Sequence, residues 1–258
     1  MISEPIRFLN LKIFVAKLLT SDFIGKLIGI VFKDSIPSHG LFVDTQLASP
    51  RIKSSIFFGI YEGTEIRFIR QYLILSNDID VIELGSSLGV LSSHIAKQIR
   101  KECRLVCVEA NPYLLPAISS NLQRNASHLS SYEVISAAID YREKDNVDFF
   151  ISEDSTTSCS LKTSTENITV KSITLGQIIE SFSINKYVLI MDIEGSEIDL
   201  LINDKKSLEQ CEMIIAELHE GTSLTESKFM SVDSMINLMV SYGFRLQRRR
   251  GSVCLFVK

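Results

Sequence analysis

The sequence has no tryptophan, only five prolines and only five cysteines in 258 residues. Cys103, Cys107, Cys159, Cys211 and Cys254 are odd in number and form no C-x-x-C pair. A disulfide framework or a zinc site of paired thiolates is therefore not expected, and reduced, buried thiols in a cytoplasmic protein are. No run of 18 apolar residues is free of charge. Residues 8–32 come nearest, and Lys12, Lys17, Asp22 and Lys26 interrupt them, so no transmembrane helix is expected. An early acid and the lack of a small-residue cleavage site argue against a secretory leader. A basic excess is missing too: 27 Lys and Arg stand against 31 Asp and Glu, for a net charge of −4, which argues against a nucleic-acid partner. Internal repeats and low-complexity stretches are absent as well.

What is present is an ordinary globular composition, 45% hydrophobic and 22% charged. The mean hydropathy of +0.18 suits a sheet covered on both faces. Residues 1 to about 33 carry two stretches of helical apolar spacing, "FLNLKIFVAKLL" and "FIGKLIGIVF". They read as a helical cap on the main domain, or as a membrane-surface or self-association element with snorkelling lysines. Residues 34–56 read as loop-rich, and a helix is expected from Glu62 to Leu75. The expected division is an N-terminal helical and loop extension, 1–58, and a main domain, 59–258.

From residue 80 the chain alternates strands with helices. The strands are "DVIEL", "RLVCVEA", "YEVISAAI", "VDFFIS", "NITVKSIT", "YVLIMDI" and "CEMIIAEL". A Ser/Thr-rich surface loop is expected over 153–167 and a helix over 226–243. A closing hairpin, "FRLQRR" with "SVCLFVK", ends the pattern. Such alternation implies an α/β fold with a mainly parallel sheet and right-handed crossovers, and the hairpin adds an antiparallel strand.

Three strand ends carry unusual residues, and ligands of open α/β sheets bind beyond the carboxyl ends of strands. The first is Glu83-Leu84-Gly85-Ser86-Ser87-Leu88-Gly89. Here Gly85 permits a sharp turn, Gly89 a close helix approach, and the next helix presents its amino end to an anion. The second is Glu109, about 24 residues beyond Gly85, near the roughly 20 expected for an acid on ribose hydroxyls. A dinucleotide pyrophosphate would want G-x-G-x-x-G, but Ser87 stands at the middle glycine and no Tyr-x-x-x-Lys pair is present. A nicotinamide-dependent oxidoreductase is therefore disfavoured. A sulfonium cofactor has a ribose, an adenine and a zwitterionic tail, and Glu83 suits its ammonium. The third strand end is Asp192-Ile193-Glu194-Gly195-Ser196-Glu197. It reads either as a helix start, with Asp192 as N-cap and Glu197 completing it, or as a reactive site. An acid ending a buried strand is costly without a job or a partner. His219, flanked by Glu217 and Glu220, reads as a strand end, a polar cluster or a metal ligand. No metal is assigned.

"VIELGSSLGVLSSHIA", "VCVEANPYLLPAISSNLQRN" and "VLIMDIEGSEIDLL" together resemble the FkbM-type family of class I S-adenosylmethionine-dependent methyltransferases, over roughly residues 60 to 245. The resemblance implies a Rossmann-like, mainly parallel seven-stranded sheet with an antiparallel C-terminal strand. It places Glu83, Gly85, Ser87 and Gly89 in the first family motif and Glu109, Asn111 and Pro112 in the ribose segment. Asp192, Glu194, Gly195 and Glu197 fall in the third, and Tyr61 and Glu62 in the lead-in. Ser87 stands where the family usually has Asn, and Ile190 where it usually has Lys. The implied activity is O-methylation of a sugar, surface glycan or secondary metabolite, with S-adenosyl-L-methionine as cofactor. The base would be Asp192, Glu194 or His219, and a cofactor-binding but silent partner protein is the alternative.

Overall fold

A computed structural model describes residues 19–73, 79–151 and 166–258. These form two compact units, which divide between Gly63 and Thr64. The stretch "FLNLKIFVAKLL" up to residue 18, the loop expected over 153–167 up to residue 165, and Cys159 lie outside the described residues, and the last two residues of that expected loop, Glu166 and Asn167, are strand instead.

In the smaller unit, "FIGKLIGIVF" falls within helix α1, Asp22–Phe32, which ends where Lys33 turns left-handed. Phe23, Leu27, Ile30 and Val31 on it are exposed. The stretch expected to be loop is instead a hairpin, β1 (Ser35–Ser38) with β2 (Leu41–Asp44), followed by α2 (Pro50–Phe57). The reason is local. His39 and Gly40 both take positive φ, 43° and 92°, which is a two-residue turn whose twist matches paired strands. The Gly40 signal therefore marks a hairpin tip. Ser49 caps α2 by accepting the Ile52 N–H. Ile36, Val43 and Ile56 supply the buried apolar contacts of this unit.

Helix α3 (Gly63–Tyr72) leads into the larger unit. Its sheet comprises β3 (Asp80–Leu84), β4 (Leu105–Glu109), β5 (Tyr132–Ser136), β9 (Tyr187–Met191), β10 (Cys211–Glu217), β13 (Arg245–Arg250) and β14 (Val253–Val257). The spatial order is β13-β14-β10-β9-β3-β4-β5. β3, β4, β5, β9 and β10 pair in parallel, and β14 runs antiparallel to both β10 and β13. Residues of β4 and β9 are buried throughout, as continuous Val/Ile/Leu runs require when helices cover both faces. The crossovers carry α4 (Val90–Gln98), α5 (Leu115–Asn125), α6 (Leu175–Phe182), α7 (Glu197–Asn203), α8 (Lys205–Leu208) and α9 (Val232–Ser241).

Two expectations are corrected in this unit. "YEVISAAI" is two strands, because after β5 the short β6 (Ala138–Ile139) leaves for a second sheet. There it joins β8 (Glu166–Ile173), which pairs antiparallel with β7 (Asn146–Ile151), so "VDFFIS" and "NITVKSIT" build this separate sheet. The helix expected over 226–243 spans only α9. Ser231 caps it through the Ser234 N–H. Just upstream, β12 (Phe229–Met230) pairs with β11 (Gly221–Thr222). The Asp199 carboxylate explains this, since it accepts from the Ser223 and Thr225 hydroxyls and the Leu224 amide and holds the intervening turn.

The strand order reverses between β3 and β9, which are neighbours in space but far apart in sequence. A crevice opens beyond the carboxyl ends of strands at such a point.

Candidate active site

Four strand ends meet at that crevice. β3 delivers Glu83, 1% exposed. Its Oε2 accepts from the Ser86 hydroxyl at 2.9 Å, the Cys107 thiol at 3.2 Å and the Ser92 hydroxyl. Its Oε1 is buried and accepts no hydrogen bond among the described residues. Burial pushes the carboxyl up to about 6; the three donors pull the other way, and the Glu109 charge adds slightly to the rise.

The chain then turns through Gly85, at φ 86°. A Cβ there would lie 1.9 Å from the Asp192 carbonyl oxygen, so only glycine lets the end of β3 press against the end of β9. Ser87 takes a left-handed φ of 47°, a conformation that asparagine adopts more readily than serine. Its amide donates to Glu109 Oε2 at 2.7 Å. At Gly89 a Cβ would sit 2.8 Å from the Ile118 Cα, so this glycine lets α4 begin against α5.

Glu109 ends β4 and is 7% exposed. Main-chain amides fix both of its oxygens, Ser87 on Oε2 and Asn111 on Oε1, the latter at 2.7 Å. Each oxygen keeps a second lone pair. Burial raises this carboxyl above its ordinary range, against the pull of the amides. Asn111 is fully buried and caps the following turn by accepting the Tyr113 N–H.

β9 delivers Asp192, whose amide donates to the Leu84 carbonyl. Asp192 caps no helix: α7 begins after Ser196, with no side-chain cap. Glu194 (φ 51°) and Gly195 (φ 104°) turn the chain. Such a turn would be expected to separate the two carboxylates, yet both converge on one imidazole. His219, just past β10, sets its Nε2 4.0 Å from Asp192 Oδ1 and 3.7 Å from Glu194 Oε2. Its Nδ1 lies 3.3 Å from Glu197 Oε1. Glu197 is wholly buried, and its two oxygens accept the Ile193 and Gly195 amides, each at 2.8 Å.

Burial lifts the Asp192 carboxyl well above its usual range, and the Glu217 charge adds to this. Burial also raises Glu194, with His219 opposing. For His219, burial alone would lower the pKa, but the Glu197 hydrogen bond and the surrounding carboxylates push it up to about 9.

The structure thus gathers Glu83, Gly85, Ser87, Gly89, Glu109 and Asn111 on one side, and Asp192, Glu194 and His219 on the other. Tyr61 and Glu62 lie in the turn that closes the smaller unit. Sequence reasoning left Ser92 and Cys107 out of the site, and placed Glu197 in the third motif without giving it a role there. Ser92 and Cys107 reach Glu83 through helix phase and strand register, which the sequence does not display. Glu197 carried a signal, an acid completing a turn, but that signal pointed to a helix start. A separate polar cavity of about 780 Å³, lined by residues that include Asp140, Tyr141 and Lys171, contains none of these site residues.

A doubly wound sheet with this strand order, one antiparallel strand and acids at the ends of β3 and β4 is the Rossmann-like fold of class I methyltransferases. Within that class, residues 83–246 match the methyltransferase FkbM domain, and the chain belongs to that family. No curated protein matches the sequence. Among solved structures, a putative RNA methyltransferase from Pyrococcus horikoshii is similar at 14% identity and a TM-score of 0.42, covering 91% of this chain and 96% of that one. An O-methyltransferase from Bacillus cereus, in complex with SAH, is similar at 12% identity and a TM-score of 0.41, covering 76% and 81%. For Aeropyrum pernix fibrillarin with natively bound S-adenosyl-L-methionine, the values are 9% and 0.41, over 75% and 74%.

Proposed function

We propose that this methyltransferase moves a methyl group from S-adenosyl-L-methionine to a hydroxyl of a sugar, surface glycan or secondary metabolite. The observation that carries the reading is the meeting, at one topological switch point, of two buried acids suited to the cofactor with a carboxylate–imidazole cluster suited to a hydroxyl.

The residues fit the cofactor. The unpartnered Glu83 Oε1 can accept from its ammonium, and this contact would supply the solvation that burial removes. Glu109, already oriented by two amides, keeps lone pairs for the ribose hydroxyls. The amino end of α4 offers unpaired N–H groups to the tail carboxylate. When bound, the cofactor supplies an electrophilic methyl on a sulfonium. Asp192 and Glu194 hold the acceptor hydroxyl and take its proton as the oxygen attacks, and His219 balances their charge. Alignment of the hydroxyl with the methyl is the chief contribution asked of the fold.

The test pairs two variants. Glu109→Ala should weaken S-adenosylhomocysteine binding by about 1–3 kcal/mol, because hydroxyls are left unpaired. Asp192→Asn should cut turnover roughly 10²-fold with cofactor affinity nearly intact. Unchanged cofactor binding in Glu109→Ala overturns the ribose assignment. Cofactor binding without turnover across sugar and secondary-metabolite acceptors favours the silent-partner alternative.

A further inference from the structure

Helix α1 of the smaller unit turns small residues inward and large apolar ones outward. Gly25 lies so close to α2 that a Cβ there would come within 1.6 Å of the Pro50 carbonyl oxygen. Gly25 and Ile28 are buried on this side, and the Phe32 and Phe57 rings meet at 5.3 Å. Phe23, Ile30 and Val31 are instead 71, 74 and 71% exposed, and Leu27 is exposed beside them. At 3.6 residues per turn these four fall within an arc of about 100°, opposite Gly25. Single exposed apolar residues are ordinary, but a contiguous face of them marks an interaction surface. The smaller unit is rich in such residues. Twelve large apolar side chains are exposed among the described residues, and eight of them precede residue 64.

Charge decides between the possible occupants of that face. Lys26 borders the arc and Lys33 follows the last turn; both are exposed, and neither is in an ion pair among the described residues. The same sign extends along the sequence. Residues 1–33 hold five Lys and Arg against two Asp and Glu, a net +3, so the whole-chain −4 leaves −7 for residues 34–258. Apolar side chains bordered by lysines suit the boundary of a bilayer, where the rings and branches enter the acyl region and the ammonium groups stay with the headgroups. A second copy fits less well. A two-fold contact would set this patch against itself and bring its lysines together. The helix has only 11 residues, too few to cross a bilayer, so it would lie flat on one.

We propose that α1 docks the protein on an anionic phospholipid surface, with Phe23, Leu27, Ile30 and Val31 at the acyl boundary and Lys26 and Lys33 among the phosphates. The two contributions are separable. Attraction of the lysines falls off within a Debye length, about 10 Å at 0.1 M salt, whereas burial of the apolar face does not depend on it. Four apolar side chains make a small anchor, so the docking is reversible. The inference stands apart from the proposed methyl transfer, and neither rests on the other.

The probe is flotation of the full chain with vesicles of phosphatidylcholine, alone or mixed with phosphatidylglycerol. Partition onto the mixed vesicles should exceed that onto phosphatidylcholine alone roughly tenfold and fall as salt rises. Phe23→Ser combined with Ile30→Ser should lower it roughly tenfold or more, and Lys26→Gln combined with Lys33→Gln roughly tenfold. The sequence has no tryptophan, so Phe23→Trp places a single reporter on the face. Its emission should move to the blue on the mixed vesicles and be quenched by acyl-brominated lipid. That variant keeps the test open if the double serine variant fails to fold. Absence of flotation, flotation indifferent to both paired variants, or a reporter that stays in water while the protein floats overturns the docking. Equal partition onto phosphatidylcholine alone overturns the match to an anionic surface. Dimerisation in sedimentation velocity that the double serine variant abolishes, without flotation, gives the face to a second copy instead.

Discussion

Glu83 shows how a single side chain couples stability to ligand. Strand register sets it between Cys107 of β4 and Ile190 of β9. Ile190 is an apolar side chain, 2% exposed, so no cation faces the acid from that side. An ordinary glutamate titrates near 4.5, and this one near 6. Between those values the folded chain holds a proton that the unfolded chain has lost. The Glu83 contribution to stability is therefore fullest below pH 4.5 and is lost as pH rises through 6, about 2 kcal/mol in all. Glu83→Gln should remove that part of the slope, and urea unfolding at pH 4.5 and 7.5 would measure it. Ile190→Lys should instead supply the missing counter-charge and lower the Glu83 titration below 6, as read by carbon NMR of labelled glutamate. The acids at 83, 109 and 192 were legible in the sequence because each ends an apolar run where a charge is costly. Glu197 was not, because its importance lies in what it touches across the turn.

At the scale of elements, the connection from β3 to α4 is the most constrained. Gly85→Ala would impose a left-handed φ on a side chain and drive its Cβ into the Asp192 carbonyl. A loss of at least about 2 kcal/mol in chemical denaturation is expected, together with weaker S-adenosylhomocysteine binding. Helix α6 gives a milder case. Thr174 caps it in a reciprocal box with Gln177, and Thr174→Ala should cost about 1 kcal/mol in the same assay. Strands of the parallel sheet were readable because continuous Val/Ile/Leu runs have few other uses. The β1–β2 hairpin was missed because its turn is His39-Gly40 and its strands are only four residues long. The start of α9 was misplaced because its apolar spacing continues upstream into Phe229 and Met230, which pair with Thr222 and Gly221 as β12.

For the whole molecule, the buried thiols give a global readout. Cys103, Cys107, Cys211 and Cys254 are all buried. Burial pushes Cys211 up to about 12 and Cys254 up to about 11, so little thiolate exists at neutral pH. Their reaction with a disulfide reagent at pH 8 should be slow in the native protein and complete in guanidinium. Its rate at intermediate denaturant should track the loss of circular dichroism. Fast labelling of these four before unfolding would contradict the burial. No helix among the described residues is long and apolar enough to cross a membrane. The α/β class and the parallel sheet were legible at this scale from alternation alone. The second sheet was not, since nothing in "YEVISAAI" marks where β5 stops and β6 departs.

The apposition of Gly85 with Asp192 also sets a schedule for assembly. The two residues are about a hundred positions apart, and β3 pairs with β4 long before β9 has been made. Local pairing of β3, β4 and β5 can precede the long-range closure, which is the slow kind of contact to form. A growing chain would therefore hold the half of its crevice that carries Glu83 and Glu109 before the half that carries Asp192 and Glu194. Until β9 docks, the flank of β3 that will carry Asp192 lies open to whatever extended segment reaches it first, so ordering of the acids at 192 and 194 is a late event in the life of each molecule.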